Sequence, residues 1–104
     1  MNAQMNAACL ETVRFRLAAG ADPAAFRAAA PLVSEWAARQ PGFRGRLLVD
    51  EGEGWFADLV WWESEAAAKA AASAFGPALG ATAFARAIDG ASVEMRHLPV
   101  VSAA

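Results

Sequence analysis

A chain of 104 residues is too short to form two self-sufficient cores, so we expect a single domain. With a formal net charge of −2 and no cluster of basic side chains, the sequence argues against a nucleic-acid-binding surface. It contains no uncharged apolar run of about 18 residues, so no membrane span is predicted.

The N-terminal region and the cysteine content suggest where the protein works. Residues 1–8 lack the basic and apolar segments of a secretory signal, and the single cysteine, Cys9, cannot form an internal disulfide. We therefore expect a cytoplasmic protein in which residues 1–8 are a flexible segment and residues 9–101 form the domain. No basic helix terminus is predicted beside Cys9, so a reactive thiol is not expected.

The first two predicted elements are a strand and a helix. Residues 9–17 alternate apolar and polar side chains with the period of two that is typical of a half-buried strand. Asp22 and Pro23 form a helix start, and apolar side chains then recur at helical spacing to about residue 40. Pro31 lies inside this helix and is expected to kink it or to break its first turn.

A β-hairpin is predicted next. Residues 43–50 form the second strand, residues 51–54 supply a glycine-containing turn, and residues 55–63 form the third strand. We call the side of the sheet that meets the helices the inner face and the opposite side the outer face. The residues of this hairpin assigned to the inner face are Phe43, Gly45, Leu47, Val49, Trp55 and Trp61.

The remaining elements complete the domain. Ser64 is the predicted N-cap of an alanine-rich helix that Gly76 and Pro77 interrupt. A short helix then carries Leu79, Phe84 and Ile88, and residues 92–100 alternate as a fourth strand. The order is βαββαβ, so we predict an α+β, ferredoxin-like fold with both helices on one face of a four-stranded antiparallel sheet in the order 4-1-3-2.

Charged residues suggest a strand register. The predicted cross-strand pairs are Glu11 with His97 and Glu63, Arg14 with Glu94, and both Arg16 and Arg46 with Asp58, the arginine pairs lying on the outer face. The outer face would also carry the apolar side chains Leu10, Leu48, Phe56, Val60, Trp62 and Leu98. Because monomers rarely expose so large an apolar patch, we predict a homodimer that packs sheet against sheet, the alternative being a monomer.

Four segments resemble a known family. ETVRFRL, PGFRGRLL, WFADLVWWES and IDGASVEMRHL look like small members of the antibiotic biosynthesis monooxygenase-like group, in the dimeric α/β-barrel superfamily. The resemblance covers residues 9–99 and implies a dimer with a ligand cavity between helices and sheet. Members include cofactor-free quinone-forming monooxygenases, haem-degrading enzymes, signal-molecule enzymes and proteins with no assigned activity.

The haem-degrading branch of that family uses an Asn on the first strand, a Trp on the third strand and a His on the second helix. Here Trp61 or Trp62 can correspond to the Trp, but Thr12 and Glu11 stand where the Asn would be, and residues 64–88 contain no histidine. Haem is therefore not expected. One His and one Cys, far apart in sequence, do not suggest a metal site. We predict no cofactor.

The predicted site lies at one end of the inner face. His97 is the candidate base and Glu11 the group that orients it, a pair able to deprotonate an acidic phenol or hydroxyketone. Trp61, Trp55 and Trp36 are the candidates for stacking on a planar substrate. In the alternative interpretation, His97 has a structural role and the tryptophans are core residues.

Two functions remain open at this point. The first is a cofactor-independent monooxygenase-like enzyme acting on a small hydrophobic or aromatic compound. The second is a non-catalytic domain that binds a small hydrophobic molecule or mediates dimerisation.

Overall fold

The strands and helices follow the predicted order. The computed structural model describes residues 7–104. Its elements are β1 (Cys9–Arg16), α1 (Pro23–Ala38), β2 (Phe43–Gly52), β3 (Trp55–Trp62), α2 (Glu65–Leu79), α3 (Ala83–Arg86) and β4 (Glu94–Pro99). A 3-10 turn, Gly90–Ser92, precedes β4. The predicted flexible segment 1–8 lies outside the described residues except for its last two.

The sheet confirms the predicted fold class. Its strand order is β2-β3-β1-β4, which is 4-1-3-2 read from the other edge, and all neighbouring strands are antiparallel. Ala8 extends this hydrogen bonding, since its N–H donates to the Trp62 carbonyl and its carbonyl accepts from Val100. Ala8 is therefore held at the edge of the fold.

Helix α1 begins as the sequence predicts. The N–H of Ala24 donates to Asp22 Oδ1 over 2.9 Å, which satisfies one of the donors left free at a helix start. Phe26, Val33 and Ala37 form its buried stripe. The helix continues on both sides of Pro31, because a proline removes only one hydrogen bond from the ladder.

Helix α2 is longer than predicted. Ser64 caps it, accepting from the N–H of Ala67 over 3.0 Å. The expected interruption at Gly76 and Pro77 is wrong, since the helix runs through both residues to Leu79. Leu79 is 6% exposed and belongs to the main core, and this burial offsets the hydrogen bond that the proline cannot make. The buried residues of the main core are Phe15, Phe26, Val33, Phe56, Leu79, Phe84 and Ala87.

A β-bulge in β2 reverses the predicted faces of that strand. Phe43 lies opposite Trp62 and Gly45 opposite Trp61, so Arg44 is an extra residue without its own partner. Phe43 packs on the inner face as predicted, but the next residues change sides. The assignment of Leu47 and Val49 to the inner face is wrong, because they are 51% and 38% exposed.

Beyond the bulge, the inner-face residues of β2 are Arg46 and Leu48. Leu48 was predicted on the outer face, but it packs against the main core. Arg46 was also predicted there, and its side chain is 4% exposed beneath α1. One inserted residue therefore exchanges the two sets of side chains as far as Asp50, where the register shifts again.

The faces of β3 are also the reverse of the prediction. The inner-face side chains are Phe56, Asp58, Val60 and Trp62, and the outer face carries Trp55 and Trp61. Both alternating sets are rich in apolar residues, so periodicity alone does not distinguish them. Packing in the core determines which set faces the helices. Phe56 lies opposite Phe15 and packs in a group with Phe26 and Phe84, in which contacting ring centroids are 4.6–6.3 Å apart.

The register confirms some predicted pairs and corrects others. Glu11 lies opposite His97, and Arg14 opposite Glu94, as predicted. Glu11 faces Val60 and not Glu63 on its other side. The corrected partner of Arg16 is Trp55, not Asp58, and Arg14 makes its ion pair with Glu51.

A glycine sets the distance between the hairpin and α2. Gly42 has φ +84°, and a β-carbon there would lie 2.7 Å from Cβ of Ala67 and 2.9 Å from Cγ of Glu63. Only glycine fits both the backbone conformation and this close approach. The start of β2 is thereby held against α2.

Candidate active site

A cavity of about 220 Å³ lies between the inner face and helices α1 and α2. Trp36, Trp62 and Phe75 are among its aromatic lining residues, and its polar side chains are Glu11, Arg46 and Asp58. Val93 and Met95 also line it and are 39% and 47% exposed, so the cavity opens to solvent beside the start of β4.

Glu11 and His97 form the predicted carboxylate–imidazole pair. They lie directly opposite each other on β1 and β4, and His97 Nε2 is 2.8 Å from Glu11 Oε2. Glu11 is 6% exposed and lines the cavity, whereas His97 lies behind it and does not. Within residues 7–104, Glu11 Oε1 has no hydrogen-bond partner, so this oxygen is available to a ligand.

Arg46 and Asp58 form a second polar pair in the cavity wall. The two side chains form an ion pair, but on the inner face, where both are buried. The predicted register is wrong, because Arg46 lies opposite Val60 and Asp58 opposite Leu48. Arg46 Nε donates to Asp58 Oδ1 over 2.9 Å and Nη2 to Oδ2 over 2.7 Å. Nη1 donates to the Ala30 carbonyl and to Ser34 Oγ, so this pair also attaches the sheet to α1.

The indole N–H of Trp62 is a buried hydrogen-bond donor without an acceptor. The residue is 2% exposed and lines the cavity. In the part of the chain that the structure describes, Trp62 Nε1 is the one buried side-chain nitrogen or oxygen without a hydrogen-bond partner. Leaving a buried donor unsatisfied costs about 1–3 kcal/mol. An acceptor on a bound molecule would remove that cost.

The three tryptophans predicted to bind substrate are separated. Trp36 lines the cavity and meets Phe75 edge to face, with centroids 5.8 Å apart. Trp55 and Trp61 point to the outer face, and the guanidinium of Arg14 lies 3.9 Å from the Trp55 ring centroid. Neither can reach the cavity, because the sheet lies between.

The sequence interpretation missed Trp62 as a cavity residue and missed the inner location of Arg46 and Asp58. One signal could have found Trp62 and Asp58, although not Arg46. Pairing Phe56 with Phe15 in the phenylalanine cluster fixes the parity of β3, which places Asp58 and Trp62 on the inner face.

Cys9 is buried beside this site. Burial raises the pKa of its thiol, and the negative charges of Glu65 and Glu11 raise it further. The thiol therefore stays protonated, consistent with the expectation that it is not a nucleophile.

Two further properties concern residues 7–104. No group of three His, Cys, Asp or Glu side chains there could hold a metal ion. None of the helices in that range is long and apolar enough to cross a membrane.

Solved structures with this architecture include oxygenases. The chain is similar to SnoaB, a cofactor-independent oxygenase from Streptomyces nogalater, with a TM-score of 0.65 and 22% identity over 94% of this chain and 95% of that one. It is similar to a monooxygenase from ActVA-Orf6 of Streptomyces coelicolor, in complex with nanaomycin D, with a TM-score of 0.63 and 20% identity over 95% and 92% of the two chains.

A haem-degrading protein shares the architecture as well. MhuD from Mycobacterium tuberculosis, with two haems bound in its active site, gives a TM-score of 0.68 and 24% identity over 92% of this chain and 98% of that one. The chain has the fold of this monooxygenase-like group. The predicted resemblance is thus confirmed for the fold over nearly the whole chain. No protein-family profile and no curated protein matches the sequence.

Proposed function

We propose that this chain is a cofactor-independent monooxygenase-like enzyme that oxidises a small aromatic compound in the cavity. One observation carries the proposal. A buried carboxylate with a free oxygen, Glu11, lines an apolar cavity together with Trp62, whose indole N–H is unpartnered. The two side chains project from neighbouring strands as diagonal neighbours, roughly 7–8 Å apart at the backbone.

The cavity can enclose one or two rings of a planar ligand, and a third fused ring, as in an anthrone, would lie in its opening. A dry cavity of about 150 Å³ holds a benzene molecule, and this one measures about 220 Å³ with an opening for larger substituents. Its walls offer aromatic faces from Trp36 and Phe75, against which a planar molecule can stack.

The polar groups divide the chemistry between them. Because Glu11 lines the cavity and His97 does not, the proposal exchanges the roles predicted from the sequence. Glu11 Oε1 removes a proton from an acidic phenol or from a methylene group beside an aromatic ketone, while His97 holds Oε2 in place. Trp62 Nε1–H donates to the substrate oxygen on which negative charge develops, in a site where little water competes. Both groups stabilise the substrate anion more than the neutral substrate.

The anion reacts with molecular oxygen directly. It transfers an electron to O₂, and the two radicals combine to form a peroxide at the reacting carbon. For a methylene substrate of the anthrone type, the carbon loses two hydrogens and gains one oxygen atom as a new carbonyl. The two hydrogens leave with the second oxygen atom as water. The substrate supplies all the electrons, so the reaction needs no cofactor.

The neighbours support this assignment. SnoaB is a cofactor-independent oxygenase, and the ActVA-Orf6 monooxygenase is in complex with the ligand nanaomycin D. Membership of the antibiotic biosynthesis monooxygenase-like family is part of the proposal. A haem-degrading role is not favoured, because haem iron is generally bound by His, Cys or Tyr, and none of these lines the cavity.

We also propose that the protein is a homodimer. The outer face carries apolar side chains from all four strands: Leu10, Leu47, Val49, Trp55, Leu59, Trp61 and Leu98. The predicted patch thus has different members, but it is still continuous. A second copy of the chain offers the same face and would cover it.

Oxygen uptake tests the enzymatic proposal. With anthrones and hydroquinones as substrates, we expect consumption of O₂ and formation of quinone, and Glu11→Gln should lower kcat by about 10²-fold or more because it removes the base. Glu35→Gln is the matched control, since Glu35 is an exposed carboxylate on α1. Thermal stabilisation by these compounds without turnover would instead indicate a binding protein and contradict the enzymatic proposal.

A further inference from the structure

We propose that His97 carries the substrate proton out of the cavity into a second pocket beside β4 and the start of α2. This proposal rests on the proposed function, because it explains how Glu11 is returned to its basic form. Glu11 has a side chain only 8% exposed, and a bound substrate would fill the cavity that it faces, so a proton that it accepts needs another route to water.

The second pocket lies on the far side of the Glu11–His97 hydrogen bond. It measures about 170 Å³ and is lined by Ala8, Cys9, Glu65, His97, Leu98 and Pro99. It shares no lining residue with the main cavity, since Glu11 lines only the main cavity and His97 only the second pocket. The 2.8 Å hydrogen bond between these two side chains therefore joins the two spaces.

The other ring nitrogen of His97 is free for the next transfer. Nδ1 has no hydrogen-bond partner in residues 7–104, and the only buried side-chain nitrogen or oxygen there without a partner is Trp62 Nε1. Nδ1 is therefore not closed off from solvent. A group with one nitrogen on a buried acid and the other accessible to water can pass a proton between them.

Two carboxylates flank the proposed route. Glu11 lies on one side of His97, and Glu65 lines the second pocket with it.

The step conserves protons and electrons. While Glu11 is ionised, His97 Nε2–H donates to Oε2. Once Glu11 is protonated, the imidazole turns towards the second pocket, where Nε2 gives its proton to water and Nδ1 takes one up. The ring then turns back, the carboxyl group of Glu11 gives its proton to Nε2, and the imidazolium loses its Nδ1 proton to water. One substrate proton reaches solvent, the Nε2–H tautomer is restored and no electrons move.

Hydrogen–deuterium exchange without O₂ separates this transfer from proton abstraction. In D₂O under anaerobic conditions, an anthrone methylene group exchanges only if the proton taken by Glu11 escapes to solvent before it returns. We would follow exchange by NMR and substrate-anion formation by absorbance. For the wild-type chain, both should be observed.

Two variants distinguish a proton carrier from a group that positions Glu11. His97→Ala and His97→Gln should both still form the substrate anion, but the rate of methylene exchange should fall by about tenfold or more. Gln retains an N–H for Glu11 Oε2 but cannot relay a proton. Added imidazole should restore exchange in His97→Ala, where the truncated side chain enlarges the second pocket, and not in His97→Gln. Glu35→Gln serves as the control.

Exchange at the wild-type rate in either variant would overturn the inference. If it occurs in His97→Gln, the conclusion is that His97 only positions Glu11. Thermal unfolding of each variant confirms that it is folded. If the wild-type chain forms no anion from any carbon acid tested, the proposed function fails, and this inference fails with it.

Discussion

Arg46 and Asp58 meet through two parallel hydrogen bonds on the inner face of the sheet, with Nε–Oδ1 and Nη2–Oδ2 distances of 2.9 and 2.7 Å. Their side chains are 4% and 12% exposed, so the pair is largely removed from water. Such a pair is tolerated because each charge has a close partner and Nη1 of Arg46 is satisfied by α1.

Removing one member of this pair should be costly. We expect Arg46→Met to lower the free energy of unfolding by about 3–5 kcal/mol, because Asp58 is then left buried without a counter-charge. Arg46→Met combined with Asp58→Leu should recover most of the loss, because no unpaired charge remains. Urea denaturation of the two variants checks this, and additive losses in the double variant would contradict it.

Trp62→Phe should change stability and ligand binding in opposite directions. The substitution removes the unpartnered N–H, so the unliganded protein should be unchanged or more stable by up to about 1 kcal/mol despite the smaller ring. Ligand affinity should fall by about tenfold, the loss of one hydrogen bond. Thermal unfolding with and without a hydroxyanthraquinone measures both. A variant that binds as tightly as the wild type would show that this N–H does not contact the ligand.

The contribution of Asp50 to the stability of the fold should depend on pH. The N–H of Gly52 and the guanidinium of Arg27 lower the pKa of this carboxyl below its ordinary value of 3.8. Its contribution to stability is therefore present above pH 3.8 and is lost as the pH falls through the lower folded-state value.

Asp50→Asn should consequently lower Tm at pH 7 and have less effect in strong acid. Glu53→Gln, in the exposed turn that follows β2, is the control and should leave the pH profile unchanged. A Tm difference between wild type and Asp50→Asn that does not vary between pH 7 and pH 2 would rule out this ionic contribution.

Trp61→Glu should dissociate the proposed dimer. Trp61 lies on the outer face opposite Leu10, at the end of the sheet where Leu98 also lies, so a carboxylate there would be buried between two copies. We expect light scattering to give a dimer mass for the wild type and a monomer mass for the variant. Leu32→Glu, at a 45% exposed position on α1, should remain dimeric. A wild-type monomer mass would refute the proposed dimer.

The sequence was sufficient for the topology because each element carries its own local signals. Asp22 and Ser64 begin their helices as predicted, and the charge pairing that places Glu11 opposite His97 agrees with the structure. These features depend on local chemistry or on the opposition of two strand ends, and both are visible in a single chain.

The faces of β2 and β3 could not be obtained in the same way. Period-two reasoning assumes that no residue is inserted, and the extra residue Arg44 has no signature of its own. In β3, Trp61 and Trp62 are equally apolar. Trp62 faces inward because Phe56, on the same face of the strand, packs in the main core. The candidate site depends on this choice, so the sequence predicted the Glu11–His97 pair but not Trp62.

The bulge at Arg44 has a consequence for comparisons between proteins of this fold. In a chain whose second strand lacks the extra residue, the counterparts of Arg46 and Leu48 will stand one place nearer the preceding turn. An alignment without a gap at that point would match residues of the cavity wall with residues of the opposite surface. Aligning the chains on Phe43 before the bulge, and separately on Asp58 across the hairpin, keeps equivalent side chains together.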